Sequence, residues 1–183
     1  MNIVVAITGA SGAIYARQCL ELLLLNKDVE QIALILSSHA SDVIATEGIT
    51  LPESERITRY ANDDMWASVA SGSARWDAMI VVPSSMGTVG RIASGVSRTL
   101  IERSADVMLK ERRRLVLVVR EAPYSLIHLR NMTTLTEAGA IILPASPSFY
   151  FKPQDIEELT ATISMRAVEM LGLDIKHREW GRE

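Results

Sequence analysis

Five short apolar runs, at 2–7, 31–36, 78–82, 115–119 and 140–143, constrain this chain more than any other feature, because a helical pattern follows each of them. Runs that are apolar almost without interruption suit strands buried on both faces, the condition of a parallel sheet. Parallel neighbours joined through helices need right-handed crossovers, so the expected fold is α/β, a Rossmann-like three-layer sandwich with a mostly parallel central sheet. A length of 183 residues fits one domain, expected to span 1–183. Helices are expected at 13–25, 40–47, from about 83–88 onward, 99–113, 126–138, and from after Pro153 to Gly172. The polar stretch 48–77 predicts a short strand at 57–60 and otherwise reads as a long loop for a ligand or subunit contact.

In such a sheet the ligand lies beyond the carboxyl ends of the strands. Those ends are rich in hydroxyls: Thr8 and Ser11, Ser37 and Ser38, Ser84, Ser85 and Thr88, then Ser146 and Ser148. The first of them belongs to the turn Thr8-Gly9-Ala10-Ser11-Gly12-Ala13, a strand-to-helix junction whose free N–H groups and helix dipole would suit a phosphate. An ordinary tight turn with no ligand also satisfies this pattern. The dinucleotide fingerprint wants glycines where the chain has Gly9, Ser11 and Ile14, so only the first agrees. The end of the second run offers Ser37 rather than a ribose-binding acid, which favours a mononucleotide over NAD.

Charge is informative where it interrupts apolar sequence. Arg120-Glu121 ends an all-apolar run and must face water, a partner or a ligand; in a partly desolvated crevice Glu121 would suit acid/base work. Arg103 and Lys110, seven apart on one expected helix, share a face with Asp106 and fit either a phosphate site or a solvated surface. Arg112-Arg113-Arg114 reads as a solvated face that complements the helix C-terminus.

A net charge of −3 gives no basic footprint for nucleic acid. Leu22 to Leu25 is too short to span a bilayer, and the single cysteine, Cys19, forms no intrachain disulfide, so no membrane partner and a reducing cytoplasm are expected. His39, His128 and His177 lack metal-ligand spacing, so no metal is expected, and no serine-hydrolase elbow is present.

The opening turn, Ser71-Gly72-Ser73, Leu100-Ile101-Glu102-Arg103, Ala105-Asp106-Val107, Leu109 to Arg113, Arg120-Glu121-Ala122-Pro123, Ile141 to Pro144 and Phe149-Tyr150 together resemble the UbiX-like flavin prenyltransferases from end to end. The resemblance implies FMN as the prenyl acceptor and dimethylallyl monophosphate as the donor. It also implies a metal-independent transferase, a homododecamer, and a product, prenylated FMN, used by a partner decarboxylase. By motif, Gly9, Ala10, Ser11, Ser37, Ser85, Met86, Gly87, Thr88 and Arg120 would hold FMN. Glu121 and Ser11 would handle protons, with Glu47 near the reacting isoprenyl carbon. Lys110, Tyr150 and Arg166, with Arg103, would clamp the prenyl phosphate, while Trp66, Tyr150 or Trp180 would offer an aromatic face to an allylic cation. Three positions depart from the family pattern: Ser84 in place of Cys or Met, Arg114 in place of Pro, and Phe151 in place of His. Two alternatives are an FMN-dependent decarboxylase of a cysteine-type substrate, whose catalytic His has only His39 to match it, and a non-catalytic flavin-binding protein.

Overall fold

The computed structural model describes residues 1–175. Six strands, β1 (Asn2–Ile7), β2 (Gln31–Leu36), β3 (Ile57–Tyr60), β4 (Ala78–Ser84), β5 (Arg114–Val119) and β6 (Ile141–Pro144), form one sheet in the order β3-β2-β1-β4-β5-β6. Every pairing is parallel, with Val5 opposite Leu34 on one side and Ile80 on the other. Strand order reverses between β1 and β4, and the loops diverging there open a crevice above the carboxyl ends.

The period-two alternation of strand side chains sorts the core into two layers. Ile3, Val5, Leu34 and Ile80 face α1 (Ala13–Leu25) and α6 (Ile156–Met170), where Leu20, Leu23, Ile163 and Val168 meet them. Val4, Ala6, Ile35, Met79 and Val81 face the other way, toward α3 (Met86–Ala93), α4 (Leu100–Lys110) and α5 (Leu126–Glu137). One further short helix, α2 (Ala40–Thr46), follows β2. Residues 48–77 are held by β3 and by a 3-10 turn at Ser68–Ala70, with Trp76 buried and its indole N–H donating to Ser68 Oγ at 3.2 Å.

Three expectations change. The helix expected over 99–113 is Leu100–Lys110, because Thr99 leaves the helix to cap it and forms a capping box with Glu102. At the other end Arg112 turns into the left-handed region at φ 57°, which releases the next two arginines from the helix. Arg113 donates to the carbonyls of Ala74 (3.0 Å) and Gly72 (2.8 Å), and Arg114 donates to Leu171 O at 3.0 Å. These two cations therefore staple loops, which corrects their reading as part of a solvated face, while Arg112 stays exposed. Strand β4 also runs past Val82 through Pro83 to Ser84, with a register shift against β5 between Val81 and Ser84.

Candidate functional site

Thr8, almost fully buried, closes the first strand end: its hydroxyl donates to Pro83 O at 2.7 Å and accepts the Ser85 N–H at 2.8 Å. This hydroxyl, one of those gathered at the strand ends, ties β1 to β4. Gly9 passes so close to α2 that an added Cβ would sit 2.9 Å from His39 Cβ. Ala10 is buried, whereas Ser11 is exposed to the crevice.

The N-terminus of α1 is occupied by a group of the protein itself. Gly12, at φ 111°, offers no side-chain cap, and the Glu47 carboxylate fills that role by accepting the N–H groups of Gly12 (2.8 Å) and Ala13 (2.7 Å). The guest of this helix end is thus a carboxylate, so two amides of the turn that the sequence suits to a phosphate are taken by the protein itself. Helix α2 ends at Thr46, one residue earlier than its pattern suggests, which leaves Glu47 as the C-cap residue free to make this reach. Burial pushes the Glu47 carboxyl up, but the hydrogen bond from the Ser11 hydroxyl, the two amides and the charge of Arg120 together hold it below its ordinary value.

A depressed carboxylate stabilises the fold above its unfolded pKa, and the contribution disappears as pH falls through the folded value. Glu47→Gln is therefore expected to lower the unfolding midpoint at pH 7, by a margin that shrinks below about pH 4.5. Thermal melts of both proteins from pH 7 to pH 3 measure it, and a constant margin would contradict the capping role.

Arg120 lies above the same turn, donating through Nε to Ser11 O at 3.3 Å. Glu121 is half-buried and accepts the Ala122 N–H at 3.0 Å. A cavity of about 520 Å³ is lined by Gly9, Ser37, His39, Asn62, Ser85 and Thr88 on the strand-end side. Arg91, Arg98, Thr99 and Glu102 complete it from α3 and the start of α4. Ser85 caps α3, and its hydroxyl lies 3.1 Å from that of Thr88. Met86 is buried beneath, and Gly87 leaves the first turn of α3 open to solvent.

Glu102 and its partners are absent from the candidates read from the sequence. Its carboxylate pairs with Arg91 and accepts the N–H groups of Arg98 (2.9 Å) and Thr99 (3.0 Å). Burial pushes this carboxyl up, while Arg91 and the two amides bring it below its ordinary value. The spacing Thr99-x-x-Glu102 is the pattern that would have marked it. Nothing in the sequence pairs Arg91 with it.

A second cavity, of about 740 Å³, lies between α6 and the loop leading into it, with Ser148, Tyr150, Phe151, Glu158 and Arg166 in its wall. Arg166 also pairs with Glu169 at 3.1 Å. Tyr150 and Arg166 thus share the wall of one cavity. Arg103 and Lys110 do not join them within the chain. They lie on α4 across the sheet, where Arg103 donates to Ala70 O at 3.0 Å and pairs with Asp106 at 2.6 Å, and Lys110 pairs with Glu111. Trp66 is 98% exposed, and Trp180 and His177 fall outside the described residues.

Ser84 is fully buried and its hydroxyl meets no hydrogen-bond partner among the described residues. Removing an unpaired buried hydroxyl recovers its desolvation cost, so Ser84→Ala is expected to stabilise the fold by about 1 kcal/mol in urea unfolding; a loss of that size would reveal a partner for the hydroxyl.

A parallel sheet with a reversal point, and hydroxyls and cations gathered over it, defines a nucleotide-binding α/β protein. Residues 1–168 match the model of the flavoprotein family. The flavin prenyltransferase UbiX of Methanocaldococcus jannaschii is 43% identical over 185 residues, covering 99% of both chains. A crystal structure of AnUbiX (PadA1), in complex with FMN and dimethylallyl pyrophosphate, has a TM-score of 0.88 at 44% identity and 98% coverage of each chain. A dodecameric, FMN-dependent UbiX-like decarboxylase from Escherichia coli O157:H7 aligns over 100% of both chains, with a TM-score of 0.89 and 35% identity. The chain belongs to the UbiX-like flavin prenyltransferases of the flavoprotein family.

Proposed function

We propose that this chain is a flavin prenyltransferase that joins a dimethylallyl group from dimethylallyl monophosphate to reduced FMN. The observation that carries this reading is the 43% identity to a curated flavin prenyltransferase over 99% of both chains. The residues present fit the cofactor. Gly9, Ser37, Ser85 and Thr88 give the 520 Å³ cavity a close backbone approach and the hydroxyls that a ribityl chain and a phosphate need. Ala10, Ser11, Met86, Gly87 and Arg120 extend this wall around the crevice. Glu102 does not oppose a phosphate, because Arg91 neutralises it. When bound, reduced FMN supplies the nucleophilic ring atoms that are alkylated.

The chain's own part is to bind the donor, help its phosphate leave and move protons. Arg166 and Tyr150 face one cavity and are assigned to the phosphate, which needs cations as it departs and no nucleophile from the enzyme. Arg103 and Lys110 have the charge for the same task. With the sheet between them and Arg166, they reach such a phosphate from a neighbouring copy, in the homododecamer that the dodecameric relative supports. Glu47, held as an anion by α1 and Ser11, is assigned to charge stabilisation near the isoprenyl group, and Glu121 to proton transfer. The exposed indole of Trp66 is available for an allylic cation. The product would serve a prenylated-FMN-dependent decarboxylase, in a cytoplasm that keeps Cys19 reduced.

Incubating the protein with reduced FMN and either dimethylallyl monophosphate or the diphosphate, followed by mass spectrometry of the flavin, tests the reading. A mass gain of one dimethylallyl group, with the monophosphate as the better donor, is expected. An unchanged flavin with both donors would overturn the transferase assignment.

A further inference from the structure

We propose that Arg98 is the cation that meets the terminal phosphate of FMN, and that it makes the cavity select phosphorylated over unphosphorylated flavin. The proposal rests on the flavin reading above and concerns a residue outside the set assigned there. Three charged side chains line the 520 Å³ cavity: Arg91, Arg98 and Glu102. Two of them cancel. Glu102, with its side chain 1% exposed, gives one carboxylate oxygen to Arg91 Nε and the other to the main-chain N–H groups of Arg98 and Thr99. Arg91 directs a further donor to Thr88 Oγ1 at 3.3 Å, so its guanidinium is committed to holding the first turn of α3.

The third charge is left over. The Arg98 backbone is fixed on Glu102, while its side chain is exposed and forms no ion pair with the described residues. The cavity is therefore positive, and Ser37, Ser38, Ser85 and Thr88 add neutral donors to its lining. Arg120 cannot supply the same attraction. It stands over Ser11 O, and its charge is offset by Glu47 beneath the same turn. A phosphate dianion gains from an unpaired guanidinium through charge-assisted hydrogen bonds and Coulomb attraction, both of which riboflavin forgoes.

Equilibrium titrations of the wild type, Arg98→Ala and Arg98→Lys with FMN and with riboflavin, followed by flavin fluorescence at low and high salt, test this. Arg98→Ala is expected to weaken FMN about tenfold while riboflavin stays within about twofold, and Arg98→Lys to recover part of the loss. The wild-type preference for FMN should fall with salt, and that of Arg98→Ala should not. The variant apoproteins should melt with the wild type, since the truncated side chain is exposed. Equal weakening of both flavins, or unchanged FMN binding, would overturn the proposal while leaving the flavin reading intact. A wild type that binds neither flavin would overturn both.

Discussion

Glu121→Gln leaves FMN bound and lowers the yield of prenylated flavin by about a hundredfold or more, the usual range for removing a general acid or base. The amide keeps the size of the side chain and an oxygen able to accept the Ala122 N–H, so the strand end after β5 holds its shape. What it loses is a proton that can come and go. The hydroxyls proposed to hold the flavin, Ser37, Ser85 and Thr88, follow β2 and β4, whereas Glu121 follows β5, which is why affinity and turnover are expected to separate. Flavin titration gives the first quantity and mass spectrometry of single turnovers the second. Normal turnover in the variant would remove Glu121 from the chemistry; lost FMN binding would make it a structural residue.

Lys110→Ala and Arg166→Ala each lower turnover by about a hundredfold, yet the two variants rescue one another when they share an assembly. Arg166 is on α6 in the layer with α1, and Lys110 is on α4 in the layer with α3 and α5. A site built from α6 of one copy and α4 of the next is whole wherever an intact α6 meets an intact α4. Random co-assembly of the two variants therefore restores about a quarter of the sites, each pairing one unaltered element from either parent. Co-expression with distinct tags, with native mass spectrometry to verify mixed assemblies, reads this out. Mixed assemblies as inactive as their parents would mean that both cations serve a site within one copy. Both side chains are exposed and pair with acids on their own helix or its cap, so neither substitution threatens the core.

Much of the site is legible because strand ends are easy to find. Ser37, Ser85 and Thr88 follow apolar runs that can only be buried strands, and the sheet delivers all three to one cavity. Arg120 and Glu121 stand out for the same reason. Residues recruited from elsewhere are harder to see. Arg91, Asn62 and Arg98 reach the cavity from a helix and two loops, and local spacing carries no trace of which strand end they will face. The same limit misleads about Arg113 and Arg114, whose place at a helix C-terminus accounts for them fully until the carbonyls of Gly72, Ala74 and Leu171 arrive from other parts of the chain.

Apolar periodicity by itself determines that this protein is a parallel α/β sheet, because burial on both faces is a local property of each run. Motif resemblance carries the family in the same way. Only the tertiary structure decides what the opening turn holds. The amides of Gly12 and Ala13 belong to Glu47, a residue more than thirty positions away that no pattern in the turn announces. A helix end attracts any nearby negative charge, and which charge is nearest is a matter of how the chain closes on itself.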